Sequence, residues 1–315
     1  MSKAMEMVRG ILYPTDTEVY PTRDQWLLAR RRGIGGSDAP ILLGQDTTRG
    51  AADLWLEKVD GKSDSESTER MKWGIRQEPG IRAGYAEDSG RQVIAPESPF
   101  TIIRRRADPW LTYSPDGTQY SPDFEGPGVL QIKNVGGDQR WKWQEGPPEK
   151  YVVQLQHEMM VGGNGWGTLV ALFGGNECAW WDLEANATFW DAMYAVEKDF
   201  WQHVEDQKCP PVDTHLRTAL QTLKHLYPES DRATISLDGD RWTEMLEELQ
   251  GYESQIKLLT EEANELKAEF QSAMQKAEAA ILSDGRQVTW KSQSRKEYTV
   301  AAASFRVFRY PKAKG

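Results

Sequence analysis

Apolar positions along the chain follow two different periods. Behind Thr22, the apolar residues Trp26 and Leu27 sit in a polar frame that predicts a capped helix over 22–31. The glycine-rich stretch GIGGSDAPILLG, residues 33–44, predicts a turn running into an apolar helical segment. Residues 50–60 predict a helix stopped by Gly61, and 69–89 a longer helix kinked at Pro79. Between 99 and 133 the period shortens to that of strands. PFTIIRR, LTYSPDG and GVLQIKN are separated by Pro109, Gly117, Pro122 and the glycine-proline loop at 126–128. A helix over 149–162, strands over 166–174 and 177–183, and an amphipathic helix over 186–206 complete this block. Cys209-Pro210-Pro211 closes it and marks a domain boundary. Beyond it, Leu246, Leu249, Ile256, Leu259, Ala263, Leu266, Phe270 and Ala273 recur at steps of three and four, or their sum. That is the spacing of a long amphipathic or coiled-coil helix within 240–280. Residues 286–300 predict a β-hairpin, followed by a basic, aromatic tail. The chain is therefore of the α/β (α+β) class, with a first domain over 1–211, a linker over 212–239 and a C-terminal helical arm with a basic hairpin over 240–315.

Composition narrows the functional classes. With 39% hydrophobic and 27% charged residues in 315, a sizeable core is expected and bulk disorder is not. No apolar run reaches transmembrane length, and the first residues lack the apolar stretch of a secretory signal. The two cysteines and four histidines show neither a disulfide framework nor zinc-ligand spacing, so a reduced, cytoplasmic protein is expected. A net charge of −10 argues against non-specific coating of nucleic acid. The distribution matters more than the sum. Arg30, Arg31 and Arg32 form one basic cluster, Arg104, Arg105 and Arg106 another, and the segment from Arg286 to Lys314 is also basic.

The residues that carry chemistry lie between Ser114 and Lys133. Ser114-Pro115-Asp116-Gly117 forms a turn after a strand, and Val129 to Lys133 forms the next strand. Residues 131 and 133 point to one face of that strand, and Asp116 approaches them across a hairpin. An acid, an amide and a lysine therefore converge. A carboxylate with nearby oxygens can hold Mg²⁺, and a lysine beside it can orient a water or stabilise charge on a phosphate.

The local context of these residues resembles the viral-recombinase nucleases typified by phage lambda exonuclease and the YqaJ proteins, within the PD-(D/E)XK superfamily. RRRGIGGSDAPILLG (30–44), GIRQEPGIRAGYAE (74–87), SPDG with LQIK, and YVVQLQHEMMV (151–161) occur in the family's order, and TWKSQSR (289–295) is also similar. The resemblance implies a mixed central sheet flanked by helices and hydrolysis of DNA phosphodiesters with Mg²⁺, or Mn²⁺ in its place. Asp116 is then the bridging metal carboxylate, Lys133 the lysine beside the attacking water and Glu78 the supporting helix glutamate. The Ile132 carbonyl is a further ligand. Arg30 or Arg31, Ser37 and Ser114 would hold phosphate, and Gln154 and Gln156 would line the site.

One position departs from the family pattern: Gln131 stands where a glutamate is usual. Three readings remain open. The amide oxygen is itself a ligand, or Glu158 on the following helix supplies the missing carboxylate, or the site is weakened or dead. The resemblance implies an exonuclease that resects linear duplex DNA, 5′ to 3′, and leaves 3′ strands for a phage single-strand annealing protein. It also implies double-stranded DNA ends as substrate, a trimeric assembly, the cytoplasm of a bacterial host and no membrane. The alternatives are a structure- or strand-selective endonuclease and a catalytically dead DNA-binding scaffold.

Overall fold

Thr22 caps the first helix as its position predicts, its hydroxyl accepting a hydrogen bond from the Gln25 amide at 3.3 Å. The computed structural model describes residues 13–61, 68–231, 233–294, 306, 308 and 309. Strand β1 (Thr15–Val19) precedes helix α1 (Arg23–Arg30), followed by α2 (Ala39–Leu42) and α3 (Ala51–Asp60). Gly61 ends α3 in the left-handed conformation, at φ 69°. Helix α4 (Glu69–Ser89) continues through Pro79. Five strands follow: β2 (Gln92–Ile94), β3 (Thr101–Arg105), β4 (Thr112–Tyr113), β5 (Gly117–Tyr120) and β6 (Gly128–Val135). A 3₁₀ turn at Gly137–Trp143 leads to α5 (Glu149–Gly162), β7 (Trp166–Phe173), β8 (Glu177–Glu184) and α6 (Ala187–Glu205).

The main sheet has the order β2-β5-β6-β7-β8. Only β6 and β7 run parallel, because α5 is the crossover between them. The other pairs are antiparallel, so the sheet is mixed. Alternation along β6 sorts its side chains between two faces. Leu130 and Ile132 pack with Ile81 and Tyr85 of α4, whereas Val129 and Val135 join Val153, Leu155 and Met159 of α5 and Trp190 and Met193 of α6. Helices thus cover both faces, as the α/β class requires.

LTYSPDG does not form one strand. Its first half, β4, pairs with β3 in a small sheet of order β1-β3-β4, and its second half, β5, belongs to the main sheet. The turn at Ser114-Pro115-Asp116 carries the chain from one sheet to the other. The 33–37 turn is stitched along β4: the Ile34 amide donates to the Trp110 carbonyl at 2.7 Å and the Thr112 amide to the Ile34 carbonyl at 2.9 Å.

The chain divides into two units, Met1–Leu223 and Lys224–Gly315. In the first, residues beyond Pro211 still pack on α3: the Thr218 hydroxyl donates to the Asp53 carboxylate at 2.8 Å, and Thr222 donates to the same group. Helix α7 (Ala219–Leu226) begins there. The second unit holds α8 (Asp240–Met274) and a hairpin of β9 (Ala279–Ile281) with β10 (Gln287–Thr289). Only its second strand falls within the stretch 286–300 from which a hairpin was expected; the first lies upstream of it. Its turn is Asp284-Gly285, with Gly285 at φ 85°, a hairpin signal just ahead of that stretch. Arg286 immediately precedes β10 and Lys291 follows it, whereas Arg295 and Lys296 lie outside the described residues.

Candidate active site

Asp116 ends the inter-sheet turn, and Gly117 after it pairs with Leu130 of β6. One Asp116 carboxylate oxygen accepts from the Ile132 amide at 2.7 Å and also from the Gln131 side-chain amide. From α4, Arg82 donates to the Asp116 carbonyl at 2.7 Å and to the Glu78 carboxylate at 2.5 Å. Lys133 donates to the Gln154 side-chain oxygen at 2.9 Å and lies 5.1 Å from the Tyr151 ring centre. Asp116, Gln131, Ile132, Lys133, Glu78, Gln154 and Glu158 line one cavity of about 320 Å³.

Electrostatics mark this cavity as an acidic centre short of positive charge. Burial, reinforced by the Asp116 carboxylate, raises the Glu78 pKa to about 8 and the Glu158 pKa to about 8. Burial raises Asp116 as well, against the pull of Lys133 and the hydrogen bond from Ile132. Three carboxyl groups are thus held near one another with Lys133 and Arg82 as their cations. Clusters of this kind concentrate at functional sites.

The wall of the same cavity carries a polar chain from α1 and the glycine-rich turn. Arg30 donates to the Ser37 hydroxyl at 2.7 Å and stacks 4.7 Å from the Trp26 ring centre, and the Trp26 indole donates to Ser114 at 3.1 Å. A buried pair fixes the turn behind them. Asp38 accepts from Lys58 at 2.6 Å and from the Gly35 amide at 2.9 Å. Although burial opposes it, Lys58 holds the Asp38 pKa below its ordinary value. Gly36 is required by close approach: a Cβ there would come within 2.9 Å of the Glu158 Cγ and collide with its carboxylate.

Two predicted residues stand elsewhere. Arg31 donates to the Val59 carbonyl at 3.2 Å and covers Gly61, and it lines a neighbouring cavity rather than this one. Gln156 donates to the Glu184 carbonyl at 2.8 Å and accepts from the Trp190 indole at 2.7 Å, tying α5 to the β8–α6 connection. Two residues apart on a helix face opposite ways, so Gln154 and Gln156 cannot share the cavity. Sequence reasoning missed Trp26 and Arg82. The spacing of four from Glu78 to Arg82 was the available signal for the second.

Among the described residues, no three His, Cys, Asp or Glu side chains form a metal cage on their own. The donor set nevertheless suits a hard cation. Mg²⁺ keeps several waters and takes only one or two carboxylates. Asp116 and Glu158 line the cavity with the Ile132 backbone, and one Glu158 oxygen is buried without a hydrogen-bond partner.

Residues 25–165 match the family of the YqaJ-like viral recombinase domain. The matched stretch begins within α1 and ends just after α5, so it contains every residue of the cavity described above. The uncharacterized protein YqaJ of Bacillus subtilis (strain 168) is 28% identical over 276 residues, 86% of this chain and 83% of that protein. Two crystal structures of the alkaline exonuclease LHK-Exo of Laribacter hongkongensis are also similar. One, in complex with dAMP, is 20% identical with a TM-score of 0.47, and the other 19% identical with a TM-score of 0.48. Each likeness covers 58% of this chain and 93% of that one. Among the described residues no helix is long and apolar enough to cross a membrane.

Proposed function

We propose that the protein is a metal-dependent DNA exonuclease of phage type, which resects linear duplex DNA from 5′ ends and leaves 3′ strands for an annealing protein. The observation that carries this reading is the placement of Asp116. Its carboxylate lies against the backbone of the strand that bears Lys133, in a cavity shared with Glu78 and Glu158. Asp116, Glu78 and the Ile132 carbonyl are the groups that would hold Mg²⁺ or Mn²⁺, beside Gln131. A divalent cation there would supply Lewis-acid polarisation of a phosphodiester and an acidified water. Lys133 lines the cavity with the carboxylates, where it stabilises charge on a phosphate oxygen. Arg30, Ser37 and Ser114 bind phosphate at the cavity wall, with Arg30 held flat by Trp26. The match of residues 25–165 to the YqaJ-like viral recombinase domain supports a viral recombination role. A homotrimer acting in the bacterial cytoplasm is the matching assembly.

The test is digestion of end-labelled linear duplex with Mg²⁺ against EDTA, beside a closed circle. Loss of one strand from 5′ ends of the linear DNA alone is expected. Cutting of the circle would make the enzyme an endonuclease, and binding without cleavage would make it a scaffold. The ends themselves are read by Arg30. Arg30→Ala should slow digestion of 5′-phosphorylated ends roughly tenfold or more, and of 5′-hydroxyl ends much less, because a charge-assisted contact to a terminal phosphate is lost. Equal slowing on both would reduce Arg30 to general backbone affinity.

A further inference from the structure

The side-chain amides between β6 and α5 have a fixed polarity. Lys133 has only N–H groups to offer, so the Gln154 side chain must turn its oxygen toward it, at 2.9 Å. Its NH₂ group then faces the other way and donates twice, to the Gln131 oxygen at 2.9 Å and to one Glu158 oxygen at 2.9 Å. Both N–H groups of Gln154 and its oxygen are thereby directed. With its own oxygen taken by Gln154, Gln131 presents its NH₂ group to Asp116. The lysine thus dictates, through Gln154, that Gln131 is a donor to the Asp116 carboxylate. Its oxygen is turned from Asp116 and already engaged.

Glu158 is placed in the opposite way. Gln154 holds one of its oxygens, and the other is buried without a hydrogen-bond partner while the residue, only 1% exposed, lines the cavity with Asp116. A buried carboxylate oxygen without a partner is costly unless something occupies it. The absence of a side chain at Gly36 leaves room for this carboxylate. The wall is thus shaped around a carboxylate of which one oxygen has no partner in the protein.

We propose that Glu158 is the carboxylate ligand of the divalent cation that stands in for the residue at position 131, and that Gln131 is a positioning residue that orients Asp116. The inference rests on the nuclease reading of the cavity. Asp116 and Glu158 then bind the cation from the turn before β5 and from α5 rather than from adjacent strands. Gln154 sets both at once, since it holds Glu158 and Gln131 together.

Binding of Mn²⁺ to the full-length protein, followed by calorimetry, tests this apart from catalysis. Glu158→Gln should weaken Mn²⁺ binding at least roughly tenfold and remove the Mn²⁺-induced rise in Tm. Its Tm in EDTA should stay close to that of wild type, since the substitution keeps the size of the side chain and an acceptor for Gln154. The exchange variant Gln131→Glu/Glu158→Gln should recover Mn²⁺ affinity and cleavage, because it returns one carboxylate to the cavity. Wild-type affinity in Glu158→Gln, or an exchange variant no better than Glu158→Gln, would overturn the assignment. A wild-type protein that neither binds Mn²⁺ nor cuts DNA would overturn the nuclease reading itself. A wild type that does both beside an unaffected Glu158→Gln sinks only the ligand assignment.

Discussion

Asp116→Ala should abolish cleavage of linear duplex DNA, by a factor on the order of 10³ or more, with the fold intact. The Asp116 carboxylate accepts from the backbone of the strand that bears Lys133, so its loss removes the anionic centre of the cavity. Two donors lose their acceptor, the Ile132 amide and the Gln131 side chain, at a cost of roughly 1–3 kcal/mol each where they stay dry. Relief of a crowded, buried negative charge offsets part of that cost. The Glu78 and Glu158 pKa values should fall toward ordinary carboxylate values, since Asp116 is among the causes of both shifts. The measurement pairs single-turnover cleavage with a thermal melt. A folded variant that cuts at near-normal rate would remove Asp116 from the site.

Glu197→Ala should be the most destabilising of the substitutions considered, by about 3–5 kcal/mol, or roughly 10 °C in Tm. Glu197 of α6 contacts the His157 ring of α5 at 2.7 Å, and the other ring nitrogen lies 2.9 Å from the Thr112 carbonyl of β4. Both side chains are fully buried. Burial works against a charged ring, yet Glu197 and the Thr112 carbonyl outweigh it and raise the His157 pKa to about 9. The folded state therefore keeps its proton to higher pH than the unfolded chain does. This stabilisation is full below a pH of about 6.5 and is lost as pH rises through about 9. Urea midpoints of the wild type should fall across that window, and those of Glu197→Gln should be flat there. Equal slopes would place the titration elsewhere. Cleavage should fall with stability, because the pair joins the helix that bears Gln154 to the strand that feeds the Asp116 turn.

Most of the helices and strands are legible from local pattern. α3, α5, α6 and the β7–β8 pair follow their apolar periodicity to within a residue or two, because their ends are written in the sequence by Gly61, Gly163 and the Gly174-Gly175 turn. Short edge strands are not legible. β1 and β2 bury little side-chain surface of their own and exist through pairing with β3 and β5. The split of LTYSPDG between two sheets is likewise a matter of which partner strand each half finds.

At the site, Asp116, Gln131 and Lys133 could be brought together from the period-two alternation of one strand and one turn. That geometry is local, and the sequence determined it by itself. Membership of Glu78 and Arg30 followed from the order of the blocks. Only the tertiary structure decided the rest. It turned Gln154 into the cavity and Gln156 into the α5–α6 packing, because a helix shows its residues to different neighbours and the sequence does not say which neighbour stands where. It sent Arg31 to cap α3 while Arg30 stacked on Trp26, although the two are adjacent in an arginine run. It also set the direction of the amides of Gln131 and Gln154. That direction depends on where the Lys133 ammonium ends up, and hydrogen-bond polarity passes between β6 and α5 only after both have packed.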